Sequence, residues 1–147
     1  TYALLLETSG EALAIPALNR DGDSLSDLVL KMFGSIAGAE SVILSMDENF
    51  EIKTVLTEAP HGTAPSLEGK NVANPMAMIL AGAALMRYMK SDAATLASRA
   101  IYEAVMETVS DGVSTSDLGG HASTTEFTDE VIRRVRGKLE VWDALGQ

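Results

Sequence analysis

Two aspartates, Asp23 and Asp27, stand four positions apart in the stretch DSLSDLVLKMF (23–33). The apolar residues of this stretch recur at helical spacing, so both carboxylates are expected on one face of a helix. Two carboxylates that close repel unless a cation or hydrogen-bond donors lie between them, and such oxygen ligands suit Mg²⁺ or Mn²⁺. The alternative is that Asp23 complements the positive helix N-terminus and Asp27 is solvated.

A second candidate site is the loop EAPHGTAPSLEGKNVANP (58–75), which holds His61 and three of the four prolines. A stiff loop with exposed N–H groups and one imidazole can bind a planar, anionic ligand. The alternative is a histidine that makes only local contacts. A third segment, DLGGHASTTEF (117–127), is a glycine-containing loop before a helix, and its alternative is a turn followed by a capping box.

Several common nucleotide and metal motifs are excluded by spacing. Six residues separate Gly62 from Gly69, and Asn71 follows Lys70, so the P-loop pattern is not met. DGDSLSD (21–27) lacks the glycine and glutamate positions of an EF-hand, and the sequence contains no GxGxxG. With no cysteine, disulfides and thiolate metal sites are also excluded.

Strand and helix patterns follow one another along the chain, which predicts an α/β fold. Residues 1–7 resemble the end of an apolar helix, and 12–18, 41–46 and 50–59 are predicted strands. Helices are predicted over 23–33, from the cap Asn74 to about Lys90, and from the cap Ser91 to Gly112. Gly82 is expected to let a neighbouring element approach closely. The last helix is predicted to begin at the capping box Ser123–Glu126 and to carry an apolar stripe: Phe127, Val131, Val135, Leu139 and Trp142.

The composition of the 147-residue chain excludes some partners. A net charge of −10 argues against nucleic-acid binding, which needs clustered lysine and arginine. The longest uncharged apolar run, 75–86, is too short to cross a membrane, and the start carries no signal-peptide pattern. We therefore expect a cytoplasmic protein that binds neither nucleic acid nor membrane.

Together the three segments resemble the β-decarboxylating dehydrogenases, the isocitrate and isopropylmalate dehydrogenase family. GDSLSDLVLKMFGSIAG (22–38) is similar to the family's G-D-x-x-S-D helix and G-S-[IL] turn. EAPHGTAPSLEGKNVANPMAMILAGAALM (58–86) is similar to its E-x-x-H-G-[ST]-A-P…G-K…A-N-P segment and following helix. DLGGHASTTEFTDEVI (117–132) is similar to its D-L-G-G…T…F-x-D-x-[IV] ending. The order and spacing also agree, so the resemblance implies an α/β, isocitrate/isopropylmalate dehydrogenase-like fold.

The resemblance also implies roles for particular residues. His61 would lie against the adenine of NAD or NADP, beside the backbone of Gly62, Thr63 and Ala64. Asn74 would hydrogen-bond the adenine edge, Glu58 would approach the nicotinamide-side ribose, and Asp117 would lie near the adenine. Asp23 and Asp27 would be ligands of Mg²⁺ or Mn²⁺.

The implied reaction is the oxidative decarboxylation of a 2-hydroxy acid. Hydride passes from the hydroxyl-bearing carbon to the nicotinamide, and CO₂ then departs with the metal stabilising the enolate. Ser66 and Leu67 stand where bacterial NADP users of the family carry Lys and Tyr and where NAD users usually carry Asp, so both signals are absent. The lack of a cation there on an acidic chain favours NAD without excluding NADP. NRDGD (19–23) is closer to the N-x-D-G-D of some isocitrate dehydrogenases than to N-L-F-G-D, so isocitrate is the favoured substrate.

The resemblance covers only the C-terminal portion of the family's chains, and Thr1 begins within what reads as a helix. The family's arginine cluster, catalytic tyrosine and lysine, and a third metal aspartate lie upstream, so no catalytic residue is assigned here. This chain alone is expected to be inactive. Residues 1–40 are assigned to the smaller, dimer-forming domain and 41–147 to the large cofactor-binding domain, with a homodimer expected.

Other functions stay open. The substrate could be isopropylmalate, homoisocitrate or tartrate. The protein could instead be a non-catalytic, nucleotide-binding regulatory subunit, or an oligomerisation module that binds no nucleotide.

Overall fold

The computed structural model describes residues 14–32 and 39–146. The expectations for residues 1–7 and for the G-S-[IL] turn fall outside these ranges. Helix α1 spans Asn19–Met32 and therefore begins four residues before the predicted start at residue 23. The NRDG segment, expected to precede the helix, is its first turn. The residues before it, 14–18, form no strand and are largely exposed, so the strand predicted over 12–18 is wrong for its described part.

A β-hairpin follows, in which β1 at Ser41–Met46 and β2 at Ile52–Glu58 pair antiparallel. Both predicted strands are present, the first with its predicted bounds and the second shorter than the predicted 50–59. Asp47 closes the turn because its Oδ1 accepts hydrogen bonds from the Asn49 N–H (2.9 Å) and the Glu51 N–H (3.0 Å). Lys53 lies 2.9 Å from the other oxygen of this carboxylate and lowers the pKa of Asp47. The hairpin places Glu58 at the end of β2, where the proline-rich loop begins.

Three helices form the core beside the hairpin: α2 at Met76–Met86, α3 at Asp92–Ser110 and α4 at Thr124–Ala144. Phe127 of α4 is fully buried against Val105 of α3 and Leu80 of α2. Burying an aromatic ring of this size removes a large apolar area from water and contributes about 3 kcal/mol. The Ser98 hydroxyl adds a buried hydrogen bond to the Ala83 carbonyl (2.7 Å) that joins α3 to α2.

Ion pairs line the exposed side of the α3–α4 contact. Lys138 Nζ lies 2.7 Å from Glu107 and 3.2 Å from Glu103, while Arg134 lies 2.7 Å from both Asp111 and Glu130. The neighbouring arginines lower the pKa of Glu130 to about 2. The Arg99 guanidinium stacks 4.8 Å from the Trp142 ring. These contacts fix the register of α4, and so the position of the loop that leads into it.

Tyr102 of α3 ties the hairpin to the helices, since its hydroxyl donates a hydrogen bond to Glu40, just before β1. Burial, together with that carboxylate, raises the pKa of Tyr102 above its usual range.

The predicted helix caps are largely confirmed. The Asn74 side chain accepts from the Met76 N–H at 2.9 Å, and Ser91 Oγ accepts from the Ala94 N–H at 3.4 Å. The Ser123–Glu126 capping box is present at the start of α4. Helix α2 ends at Met86 rather than near Lys90, because the backbone tightens there into i→i+3 turns.

The expectation for Gly82 is wrong within the described part of the chain. A Cβ added at Gly82 would meet no atom within 4 Å, so no described element approaches it. Met78 and Leu85 on the same helix are 59% and 44% exposed, although α2 is apolar on all sides. In the described ranges, no helix combines the length and hydrophobicity needed to cross a bilayer.

Candidate functional site

The loop between β2 and α2 is fixed at its base and exposed at its tip. Ala59 packs against Ala77 in a small buried cluster. Glu58 immediately before it is exposed, as is every residue from His61 to Ala73. A loop of this kind can present side chains and backbone groups to a ligand while its ends stay in place.

The His61 end of this loop offers backbone donors that no described residue pairs. His61 Nδ1 lies 2.9 Å from the Gly62 carbonyl oxygen, so the exposed ring is oriented by a local contact. The N–H groups of Gly62, Thr63 and Ala64 make no hydrogen bond to any residue the structure describes. Ala64 has φ 41° and starts a short 3₁₀ turn at Pro65–Leu67. A run of free N–H groups beside an imidazole suits an anionic, planar ligand.

The second loop, between α3 and α4, depends on two adjacent glycines. Gly119 has φ 81°, in the left-handed region that glycine adopts without steric cost. At Gly120 a Cβ would lie 2.0 Å from the Ser114 carbonyl oxygen, so any side chain there would collide with backbone. The two glycines therefore let the loop fold back on itself, and Asp117 lies on the 3₁₀ turn Ser116–Leu118 just before them.

The two loops meet at a pair of predicted site residues. Asn74 Nδ2 donates a 3.0 Å hydrogen bond to Asp117 Oδ2 across 43 residues of sequence. The second Asp117 oxygen accepts from Thr115 Oγ1 at 2.5 Å, and Asn74 Oδ1 is held by the Met76 N–H at 2.9 Å. Both side chains are thus oriented before any ligand binds.

One residue of this junction was missed by the sequence reasoning, which considered Asn71 only as a mismatch to the P-loop pattern. Asn71 Oδ1 accepts hydrogen bonds from the Thr125 N–H (3.1 Å) and Thr125 Oγ1 (2.9 Å). A signal was available, since asparagine after Gly-Lys in a loop favours a left-handed turn, and its φ is 56°.

The metal candidates Asp23 and Asp27 lie in the middle of α1, and both are exposed. Because the helix begins at Asn19, Asp23 is in its second turn, where the field of the helix N-terminus has largely faded. This weakens the alternative in which Asp23 merely complements that field. Neither carboxylate has an ion-pair partner among the described residues.

The structure brings Asn74 and Asp117 together, but among the described residues it shows no contact between the nucleotide-side candidates and the metal candidates. No hydrogen bond or ion pair in the described ranges links α1 to either loop. No group of three or more possible metal ligands gathers among those residues either. Asp23 and Asp27 can therefore supply two carboxylates, and the remaining ligands of a divalent ion would come from elsewhere.

Comparison with known proteins defines the class. The family model for isocitrate/isopropylmalate dehydrogenase matches residues 5–131. The chain therefore belongs to the isocitrate/isopropylmalate dehydrogenase family, and the resemblance seen in the three segments is confirmed. The fold agrees as well, because the crystal structure of the apo form of a β-decarboxylating dehydrogenase from Thermococcus kodakarensis matches with a TM-score of 0.69. That match has 34% identity and covers 85% of this chain and 34% of the other.

Curated relatives include both substrate types. The chain is 35% identical to the catalytic subunit 5 of the mitochondrial NAD isocitrate dehydrogenase of Arabidopsis thaliana, over 82% of this chain and 30% of the relative. It is 37% identical to 3-isopropylmalate dehydrogenase B of Aspergillus niger, over 92% of this chain and 38% of the relative. The chain thus spans about a third of the length of these relatives.

Proposed function

We propose that this chain is part of an NAD(P)-dependent, divalent-metal-dependent dehydrogenase that oxidatively decarboxylates a 2-hydroxy acid, with isocitrate the favoured substrate. The observation that carries the proposal is the hydrogen bond between Asn74 and Asp117, which assembles two family motifs into one surface. Membership of the family supplies the reaction class.

The chain's contribution is the adenosine half of the nucleotide site. His61 and the free N–H groups of Gly62, Thr63 and Ala64 would receive the adenine and its neighbouring anionic groups. Asn74 has one remaining amide hydrogen, and Asn74 and Asp117 would read the adenine edge. Glu58, exposed at the end of β2, would accept a hydrogen bond from a ribose hydroxyl.

The donor set on α1 fits half of a divalent-metal site. Asp23 and Asp27 are exposed carboxylates one helical turn apart. They would hold the Mg²⁺ or Mn²⁺ that the proposed NAD(P)-dependent reaction requires. When bound, such an ion polarises the carbonyl group of the oxidised substrate and stabilises developing enolate charge. We assign no general acid or base to this chain, and the isolated chain is expected to be inactive.

The choice of NAD as cofactor and of isocitrate as substrate depends on a few residues of the sequence. Ser66 and Leu67 offer no cation to a 2′-phosphate, which supports NAD over NADP on a chain of charge −10. The N-x-D-G-D pattern supports isocitrate, whereas the relatives named for isocitrate and for isopropylmalate are about equally similar.

The test is an assay of the full-length protein with isocitrate, isopropylmalate, homoisocitrate and tartrate, using NAD or NADP and Mg²⁺ or Mn²⁺. We expect turnover of isocitrate with NAD and either metal, and its loss on adding EDTA. Turnover of another of these acids would reject the substrate but keep the class. Failure of all combinations, with nucleotide binding retained, would favour the alternative of a regulatory role.

That alternative has one observation in its favour. The chain is 36% identical, over 82% of its length, to a Dictyostelium discoideum protein that is named for a regulatory role in mitochondrial NAD isocitrate dehydrogenase. A protein in such a role would bind nucleotide and raise the activity of a separate catalytic chain without turnover of its own.

A homodimer in the cytoplasm completes the proposal. Apolar side chains of the hairpin are exposed, which supports their being covered by another protein surface. Ile43 and Leu56 pair across the hairpin and are 52% and 51% exposed. A two-stranded sheet is also marginal by itself. Light scattering of the isolated 147-residue chain should show association, and a compact monomer would count against this part of the proposal.

A further inference from the structure

Asn71 lies where the loop after β2 meets the start of α4. Its carbonyl oxygen accepts a hydrogen bond from the Thr124 N–H at 3.0 Å. Its Oδ1 accepts two more from Thr125, one from the N–H at 3.1 Å and one from Oγ1 at 2.9 Å. One residue of the first loop therefore receives three hydrogen bonds from residues more than 50 positions later.

These hydrogen bonds complete the N-terminal cap of α4 with acceptors from the earlier loop. The first N–H groups of a helix have no acceptor within it. In α4, Ser123 Oγ accepts from the Glu126 N–H at 3.2 Å, and the Glu126 carboxylate accepts from the Ser123 N–H at 2.8 Å. The two N–H groups that this capping box leaves over, those of Thr124 and Thr125, both donate to Asn71.

The backbone of Asn71 is suited to this contact. Its φ of 56° lies in the left-handed region, which asparagine enters more readily than most side chains that have a Cβ. Valine and isoleucine could neither adopt this conformation easily nor offer a side-chain acceptor, and threonine shares the first difficulty. The conformation and the acceptor together restrict the position to asparagine, with aspartate the nearest substitute.

The same contact sets the position of Asn74. The backbone between the two asparagines is held by Thr124 Oγ1, which donates to the Ala73 carbonyl at 2.5 Å. Asn74 then reaches Asp117 in the second loop. We propose that Asn71 is a positioning residue of the nucleotide site: by capping α4 it fixes the spacing of the two loops and so the orientation of Asn74. This inference rests on the proposed function.

The test compares Asn71→Gly with Asn71→Asp in the full-length protein. Glycine keeps the left-handed backbone and the carbonyl acceptor but loses both bonds to Thr125, whereas aspartate keeps an acceptor. Binding is followed by the fluorescence of NADH and of NADPH, and the caps by hydrogen exchange of the Thr124 and Thr125 amides. We expect Asn71→Gly to raise the Kd for the nucleotide about tenfold, with kcat at saturating nucleotide unchanged. Asn71→Asp should bind as the unaltered protein does.

Phe50→Gly is the matched control, because Phe50 also has a positive φ (61°) but lies in the hairpin turn. It should leave nucleotide affinity unchanged. If Asn71→Gly speeds exchange at Thr124 and Thr125 without weakening binding, the positioning role is overturned while the proposed function stands. If the unaltered protein binds neither NADH nor NADPH, the proposed function fails and this inference fails with it.

Discussion

The two regions that carry candidate site residues are built very differently. The nucleotide-side loops are joined by hydrogen bonds that cross 43 to 54 residues, and they rest on the buried contacts of α2, α3 and α4. Helix α1, which carries Asp23 and Asp27, contributes no residue to that core. Leu18 before it is 80% exposed, and Leu28 and Met32 on it are 41% and 45% exposed.

This contrast indicates which candidate residues are positioned by contacts within the described part of the chain. Asn74 and Asp117 are oriented by neighbours within this chain. The candidate metal ligands Asp23 and Asp27 lie on a helix whose apolar side chains no described residue buries, so the other ligands of a bound ion are expected from outside the described residues. Four experiments test this contrast, and they are given in order of decreasing expected effect.

Asp27→Asn in the full-length protein should have the largest effect, because it removes the charge of a proposed metal ligand. We expect metal-dependent turnover to fall at least about 100-fold, with NADH binding retained. Asp21→Asn is the matched control, since Asp21 is exposed in the first turn of the same helix and pairs only with Arg20 (3.8 Å) among the described residues. Equal losses for the two variants would show that Asp27 has no special role.

Gly120→Ala should disturb the nucleotide half through its fold. The added Cβ would meet the Ser114 carbonyl oxygen at 2.0 Å, so the loop must shift, at a cost of about 2 to 3 kcal/mol of unfolding free energy. Gly137→Ala is the control, and it should change the free energy of unfolding in the opposite direction. Gly137 lies in α4, and a Cβ there would meet no described atom within 4 Å. That change should stabilise by about 0.5 to 1 kcal/mol. Urea unfolding measures both, and a tolerated Gly120→Ala would contradict the close approach.

The Asn74–Asp117 hydrogen bond can be measured with a double-mutant cycle. Asn74→Ala and Asp117→Ala, alone and combined, should show a coupling of about 1 kcal/mol in the free energy of NADH binding. Additive effects would mean that the two loops contribute independently. The contrast with α1 would then lose its main support.

Acidification should have the smallest effect, and it should act through the ion pairs that Glu130 makes with Arg133 and Arg134 on α4. The folded-state pKa of Glu130 is lowered to about 2 by Arg133 and Arg134, from an ordinary value of 4.5. Its stabilising contribution is therefore complete above about pH 4.5 and is lost as the pH falls toward 2. Acid unfolding followed by circular dichroism should be less steep in Glu130→Gln, and identical curves would show that this carboxylate does not contribute.

Much of the local structure was predictable because its signals lie within a few residues. The capping box at Ser123–Glu126 and the cap at Ser91 involve partners three positions away. The hairpin was visible from two β-rich runs around a short polar turn. Where a local signal misled, as in residues 14–18, a β-like composition found no described strand to pair with.

The family, the two strands, the helices and the candidate residues could be identified from sequence, since each rests on motifs or on short-range periodicity. The folded structure was needed to show that Asn74 meets Asp117, that Asn71 caps α4, that Gly120 must lack a side chain and that no described element approaches Gly82. Such contacts join residues far apart in the chain, and their existence depends on how the helices pack. No local pattern encodes that packing.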